Sequence, residues 1–328
     1  MNRRRSNGAH SNTTRSNTTR PDIPHASLRW GATGLKGVHR ENVDDRHDPP
    51  RRTGIRYRFR MSQPSPMPAA RMPAAPLARA FRYLYRVPLL LWHLAIDLPV
   101  ILLLMLPPIG GIDIRGERLE HRVIRAWSAG LMRIFGFHLH RSGVPLRGAA
   151  VFVANHVSWV DIVVLHSQRM MGFVAKREIS RWPLVRWMAM RGETIFHERG
   201  SAESLGGVLH EMLARLRAGR SVGVFPEGRT RDGREVGPFH ARIFLAAVES
   251  GARVQPVALR YGEHGAMQPL VAFQPGESFF GNFLRLLGEP ARKADVCFLE
   301  PIDTTEAGGR RRIAELARER IVAAMQRR

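Results

Sequence analysis

A single cysteine, Cys297, stands in 328 residues, so the chain can form no intrachain disulfide. It lies in the apolar run Ala294-Asp295-Val296-Cys297-Phe298-Leu299 and reads as a strand position rather than a nucleophile. No spacing of His, Cys and carboxylates marks a zinc site, so no metal is expected. No Gly-x-Ser-x-Gly elbow is present, which removes the usual nucleophile of a serine-hydrolase triad. Acidic residues are scarce: 28 Asp and Glu face 51 Lys and Arg, leaving a net charge of +23. Residues 1–60 hold 14 of the basic and 5 of the acidic residues, so most of the excess belongs to the rest of the chain. Such a balance suits anionic partners, whether acidic lipid headgroups, phosphorylated substrates or nucleic acid. The last has no zinc-finger spacing or aromatic-rich signature behind it, and nucleic acid is not expected as a partner.

Apolar residues make up 44% of the chain, enough for a sizeable core. Residues 1–76 stand apart as a basic extension and linker. They are rich in Arg, Asn, Ser and Thr, carry the near-repeat Ser-Asn-Thr-Thr-Arg twice, and pass into a Pro/Ala/Met stretch from Met61. One reading places the functional start near Met61 or Met67. Glu41, Asp44, Asp45 and Asp48 count against a transit peptide.

Residues 77–115 read as a membrane-associated helical segment. Its centre, VPLLLWHLAIDLPVILLLML at 87–106, is long enough to span a bilayer and has no signal-peptide cleavage motif. His93 and Asp97 are costly at membrane depth, Pro88 and Pro99 favour a bend, and arginines flank both sides. The segment spans, or lies in the interface as a bent hairpin.

Residues 116–328 alternate strand and helix patterns. After a helix over 117–140, ending near Gly136 or running into a short strand, apolar runs at 149–154, 171–175, 194–196, 221–225, 253–259 and 295–299 read as strands. Helical patterns lie at 201–218, 241–249 and 310–325, the first closed by Gly219. This is an α/β domain around a largely parallel mixed sheet, in which functional groups gather beyond the strands' C-terminal ends. Asn155-His156 follows one strand, Arg199 another, and Pro226-Glu227-Gly228 a third.

His156 and Asp161 are five residues apart, which inside one helix would turn them about 140° from each other. They meet if His156 sits on the turn after a strand and Asp161 in the first turn of the next helix. An imidazole so held can take a proton from an alcohol attacking an activated acyl carbon. Ser158-x-x-Asp161 also fits a helix-capping pattern, and the two readings are compatible. In Phe225-Pro226-Glu227-Gly228-Arg229, proline sets the strand exit, glycine permits close approach, and arginines nearby can hold an anion; an ordinary turn with solvated arginines fits as well.

Asn155-His156 with Asp161, Phe196 with Arg199, Phe225-Pro226-Glu227-Gly228, and Val254-Gln255-Pro256-Val257, in this order, resemble the four blocks of the glycerolipid acyltransferase family across about residues 80–325. The resemblance implies that His156 is the general base and Asp161 its support. It implies that Arg199, Glu227 and Gly228, with Lys176 near the phosphate, bind the acceptor. It implies acyl transfer from acyl-CoA or acyl-ACP to 1-acyl-sn-glycerol 3-phosphate at a lipid bilayer, with no cofactor, at a bacterial inner membrane facing the cytoplasm. His197, where the family carries an acidic residue, and Arg229, which intervenes before Thr230, depart from the pattern and keep another lyso-lipid open, such as a lyso-ornithine lipid. A non-catalytic lipid-binding protein is the rival outside enzymology.

Overall fold

The alternation of patterns is realised as a seven-stranded sheet in the computed structural model, which describes residues 76–176, 183–197 and 202–327. The readings for residues 1–75 and for Arg199 lie outside the described residues. All described residues belong to one unit, Met67–Arg328.

The strands are β1 (Phe137–Ser142), β2 (Val151–Ala154), β3 (Gly172–Lys176), β4 (Ile195–His197), β5 (Val222–Val224), β6 (Val254–Tyr261) and β7 (Arg292–Phe298). Their order is β1-β7-β6-β2-β5-β3-β4, and only the β6–β7 pair is antiparallel. The sheet is therefore mixed but largely parallel. β2, β3, β4, β5 and β6 all point one way, so the loops after them open on one edge.

The helices are α1 (Pro76–Trp92), α2 (Leu98–Leu104), α3 (Leu119–Ile134), α4 (Val160–Gln168), α5 (Pro183–Arg191), α6 (Ala202–Arg217), α7 (Leu245–Ser250), α8 (Gln268–Val271), α9 (Phe279–Gly288) and α10 (Arg310–Gln326). Strand β2 shows why they cover both faces. Phe152 and Ala154 pack with Met132, Val160, Val164 and Leu286 of α3, α4 and α9, while Val151 and Val153 pack with Met212, Ala246 and Ile313 of α6, α7 and α10. A strand buried on both sides is a continuous apolar run, as its sequence is. The helix anticipated at 241–249 opens as a 3₁₀ turn, Ala241–Phe244, before α7.

A π-helical turn, His93–Asp97, joins α1 to α2, giving 29 residues long and apolar enough to cross a membrane by length and composition. Pro88 lies inside α1, and Pro99 falls in the first turn of α2, where a missing N–H is tolerated. The polar pair is satisfied: His93 Nδ1 lies 2.7 Å from Asp97 Oδ2, its Nε2 3.1 Å from the Trp127 carbonyl, and its ring stacks on Trp127. One stripe of this helix faces the protein along its whole length. Arg79 pairs with Glu289 at 2.6 Å, Tyr83 donates to Leu284 O at 2.8 Å, and Leu90, His93 and Leu98 are buried. Arg86, also buried, donates through Nη1 to the carbonyls of Leu287 (2.9 Å) and Glu289 (2.7 Å) at the end of α9.

Replacing Arg86 by alanine is expected to cost roughly 2–4 kcal/mol of stability, because two buried carbonyls lose a charged donor. Denaturant titration of the full chain checks this; a midpoint equal to wild type contradicts it.

Candidate active site

At the end of β2 the side chain of Asn155 replaces a rung of the sheet. Its Oδ1 accepts from Leu259 N at 2.9 Å and its Nδ2 donates to Leu259 O at 3.0 Å. The main chain can thus leave the sheet at His156 without stranding the β6 backbone.

His156 is then held on nearly every side. Its N–H donates to Glu227 Oε1 at 2.9 Å, and its carbonyl accepts from Arg231 N at 2.8 Å. The ring stacks on Phe225 at 3.9 Å between centroids, and Phe225 stacks on Phe173 of β3. Nδ1 lies 2.8 Å from Asp161 Oδ2, while Nε2 has no hydrogen-bond partner among the described residues. A carboxylate opposite Nδ1 selects the tautomer with its proton there, leaving the Nε2 lone pair free in the neutral ring. The side chain keeps 14% exposure, so Nε2 can be reached from solvent.

Asp161 sits in the first turn of α4 and is wholly buried. Besides His156, its Oδ2 accepts from Val157 N (2.6 Å) and Ser158 N (2.9 Å), and its Oδ1 accepts from Tyr261 Oη at 2.5 Å. Ser158 Oγ accepts from Val160 N at 3.2 Å. The capping pattern read from Ser158-x-x-Asp161 is thus realised only in part: Asp161 bonds back to Ser158 N while serving His156, but α4 begins at Val160 after Trp159 with no side-chain cap. Burial first, then the neighbouring Asp161 charge, pushes the Tyr261 hydroxyl well above its ordinary value, so it remains a proton donor.

Glu227 locks the second loop against the first. Oε1 takes the His156 N–H, Oε2 takes Gly237 N at 2.9 Å, and Arg231 Nε lies 3.2 Å from Oε2. Gly228 adopts φ +70°, and a Cβ there would crowd the His240 ring, which is why glycine follows the glutamate. Burial raises the Glu227 carboxyl above its ordinary value, against the N–H groups of Gly237 and His156 and the charges of Arg231 and His156. An acid raised in this way adds stability that is full below about 4.5 and is lost as pH rises through the raised value. Beside the loop, Arg229, Thr230, Arg231, Asp232, Arg234 and Glu235 line a cleft of about 530 Å³.

Of the residues singled out from sequence, His156, Asp161, Glu227 and Gly228 are brought together. Lys176 closes β3 in register with His197 of β4, at the same sheet edge. Arg199 lies outside the described residues. Sequence reasoning missed Tyr261, which reaches Asp161 from β6, and Gly237, which reaches Glu227; it offered Arg231 as an anion-holding arginine but not its contacts with Glu227 and the His156 carbonyl. Among the described residues no cluster of three or more His, Cys, Asp or Glu could hold a metal.

Glu227→Gln is expected to destabilise the protein by roughly 1–3 kcal/mol, since an amide has one acceptor oxygen and must turn its NH₂ toward a backbone N–H. Thermal unfolding near neutral pH reads the loss, and an unchanged transition would contradict the clamp.

Residues 137–260 match the family model described as Acyltransferase. The lyso-ornithine lipid O-acyltransferase of Pseudomonas aeruginosa is 35% identical over 202 residues, 61% of this chain and 76% of that protein. The protein of the same name from Brucella abortus is 34% identical over 208 residues, covering 59% and 78%. The 1-acyl-sn-glycerol-3-phosphate acyltransferase of Neisseria gonorrhoeae is 33% identical over 153 residues, covering 46% and 60%. In fold alone, the chain matches the 1-acyl-sn-glycerophosphate (LPA) acyltransferase of Thermotoga maritima, with a TM-score of 0.57 and 18% identity over 76% of this chain and 93% of that one. A family model across the core of the sheet, and relatives matched over three quarters of their length, make this chain a member of the glycerolipid acyltransferase family.

Proposed function

We propose that the chain transfers a fatty acyl group from an acyl thioester to the free hydroxyl of a lyso-lipid, with His156 as general base. The observation that carries this is the His156 ring, fixed by Asp161 and Phe225 and left with a single unpaired nitrogen. Nε2 takes the acceptor's hydroxyl proton as its oxygen attacks the thioester carbonyl carbon. The tetrahedral intermediate collapses, the C–S bond breaks, and the proton passes from Nε2 to the departing thiolate. Such assistance gives about 10²–10⁴-fold in rate. The thioester supplies the activation, so the scheme uses no cofactor. The donor is acyl-CoA or acyl-ACP, and the strongly basic chain suits an acidic carrier protein.

For the acceptor we favour a lyso-ornithine lipid. Its headgroup carries both a carboxylate and an ammonium, and the cleft beside Glu227 mixes Arg229, Arg231 and Arg234 with Asp232 and Glu235. The relatives of that name also align over more of their length than the Neisseria enzyme does. The second reading is 1-acyl-sn-glycerol 3-phosphate, giving phosphatidic acid, for which the same arginines supply phosphate contacts. In either case Lys176 and Arg199 are assigned to the acceptor side. Glu227 and Gly228 act there by shaping the loop, since both Glu227 oxygens are engaged with backbone N–H groups. We assign the enzyme to the cytoplasmic face of a bacterial inner membrane, where thioester donors are made; an apolar helix of bilayer-crossing length supports the membrane association.

Two measurements test the reading. Purified protein given a labelled acyl thioester and a panel of lyso-lipids is expected to acylate lyso-ornithine lipid at least about tenfold faster than lysophosphatidic acid; the reverse order selects the second reading, and no product from any acceptor overturns both. Tyr261→Phe removes the hydroxyl donor from Asp161 Oδ1 and loosens the carboxylate that orients the His156 ring. A severalfold fall in kcat with KM little changed is expected, and wild-type turnover would leave Tyr261 only a structural part.

A further inference from the structure

We propose that α9 is a second bilayer-contacting element, entering the interface of a leaflet with Phe279, Phe280 and Leu284. Its sequence, FFGNFLRLLG, is apolar on the side that should face water. Phe279 is 50% exposed, Phe280 64% and Leu284 40%, whereas Leu286, Leu287 and Asn282 are buried. Its one cation does not dilute that face, because Arg285 turns to Glu277 at 2.7 Å and to the carbonyls of Leu270 and Ala272. A helix on a soluble surface places polar groups outward, and aromatic and leucine side chains held outward instead are the mark of an interfacial helix.

The exposure is built in. Ser278 caps the helix by accepting from Gly281 N at 3.0 Å, and Asn282 accepts from Trp159 Nε1 at 3.0 Å. The carbonyls of Leu284, Leu287, Gly288 and Glu289 are all taken by Tyr83, Arg82 and Arg86 of α1. Helix α9 is thereby fastened to the apolar helix Pro76–Leu104, on which Phe81 (66% exposed), Leu84 (73%) and Trp92 (61%) also face outward.

The occupant we assign to this surface is an anionic bilayer rather than a second copy of the chain. The apolar surface is continuous with a helix of membrane-spanning length, and a net charge of +23 repels another copy while attracting acidic lipid. Trp159 packs against Phe279 and Phe283 and lies within the His156–Asp161 turn, so a leaflet meeting α9 would come one side chain from the reacting groups. The inference rests on the membrane placement of the apolar helix and not on the identity of the acceptor.

The test uses the full chain and vesicles of phosphatidylglycerol and phosphatidylethanolamine. Phe280→Ser and the pair Phe280→Ser with Leu284→Ser are expected to weaken vesicle flotation about tenfold or more, while the melting temperature and turnover of a water-soluble short-chain lyso-lipid stay at wild-type level. Wild-type affinity in these variants overturns the proposal, as does a loss of self-association with vesicle binding intact, which would give the face to a second copy. Should a serine variant fail to fold, Phe280→Cys carrying an environment-sensitive dye decides independently, since the native Cys297 is buried. A blue shift quenched by lipid-borne nitroxide supports insertion, and emission unchanged by vesicles refutes it.

Discussion

The structure depends on one buried carboxylate. Asp161 has no exposed surface, and a charge so placed is tolerable only when its oxygens are fully hydrogen-bonded. Its four donors come from two parts of the chain: the turn after β2, through the imidazole of His156 and the backbone of Val157 and Ser158, and the end of β6, through the hydroxyl of Tyr261. Meeting that one demand fixes the turn after β2, the start of α4 and the neighbouring strand together. The histidine gains a defined tautomer as a by-product. Glu227 repeats the device one strand over, tying the β5 loop to the β2 loop through the His156 N–H and closing the β5 loop on itself through the Gly237 N–H. Two acids that face inward thus position an imidazole that keeps one nitrogen unpaired.

The contact of His156 with Asp161 was legible because its spacing permits few geometries. Five residues exclude a shared helix face, and an apolar run before His156 puts the turn after a strand. The Pro-Glu-Gly turn was legible for a similar reason, as proline and glycine each narrow the backbone, and α6 declared itself by its helical period. Tyr261 was not legible. It lies 100 residues from its partner, and its contact follows from β6 lying beside β2, a fact of sheet order that no local pattern carries. Helix α9 was not read from the sequence although it is strongly amphipathic; its apolar stripe holds both the exposed Phe279, Phe280 and Leu284 and the buried Leu286 and Leu287, and which part is covered follows from the long-range packing of α1. The π-helical turn at His93–Asp97 depends on a carbonyl of α3, again a long-range partner.

These unreadable features share a direction. The arginines of α1 cap the end of α9, α9 holds Trp159, and Trp159 belongs to the turn that carries His156 and Asp161. The apolar helices α1 and α9 and the His156–Asp161 turn are linked by short hydrogen bonds rather than by a flexible tether. An enzyme whose substrates carry long acyl chains gains from such a link, because orientation at the leaflet becomes orientation at the base.

The central claim is that His156 activates the acceptor's own hydroxyl, with no covalent acyl-enzyme on the way. It is tested most directly by single-turnover acyl transfer with a labelled thioester in wild type and His156→Ala. The account predicts a fall of about 10³-fold or more in the variant with its thermal unfolding unchanged, and no label retained on the wild-type protein when acceptor is withheld. Near-normal transfer by His156→Ala, or stable label on the protein alone, would contradict it.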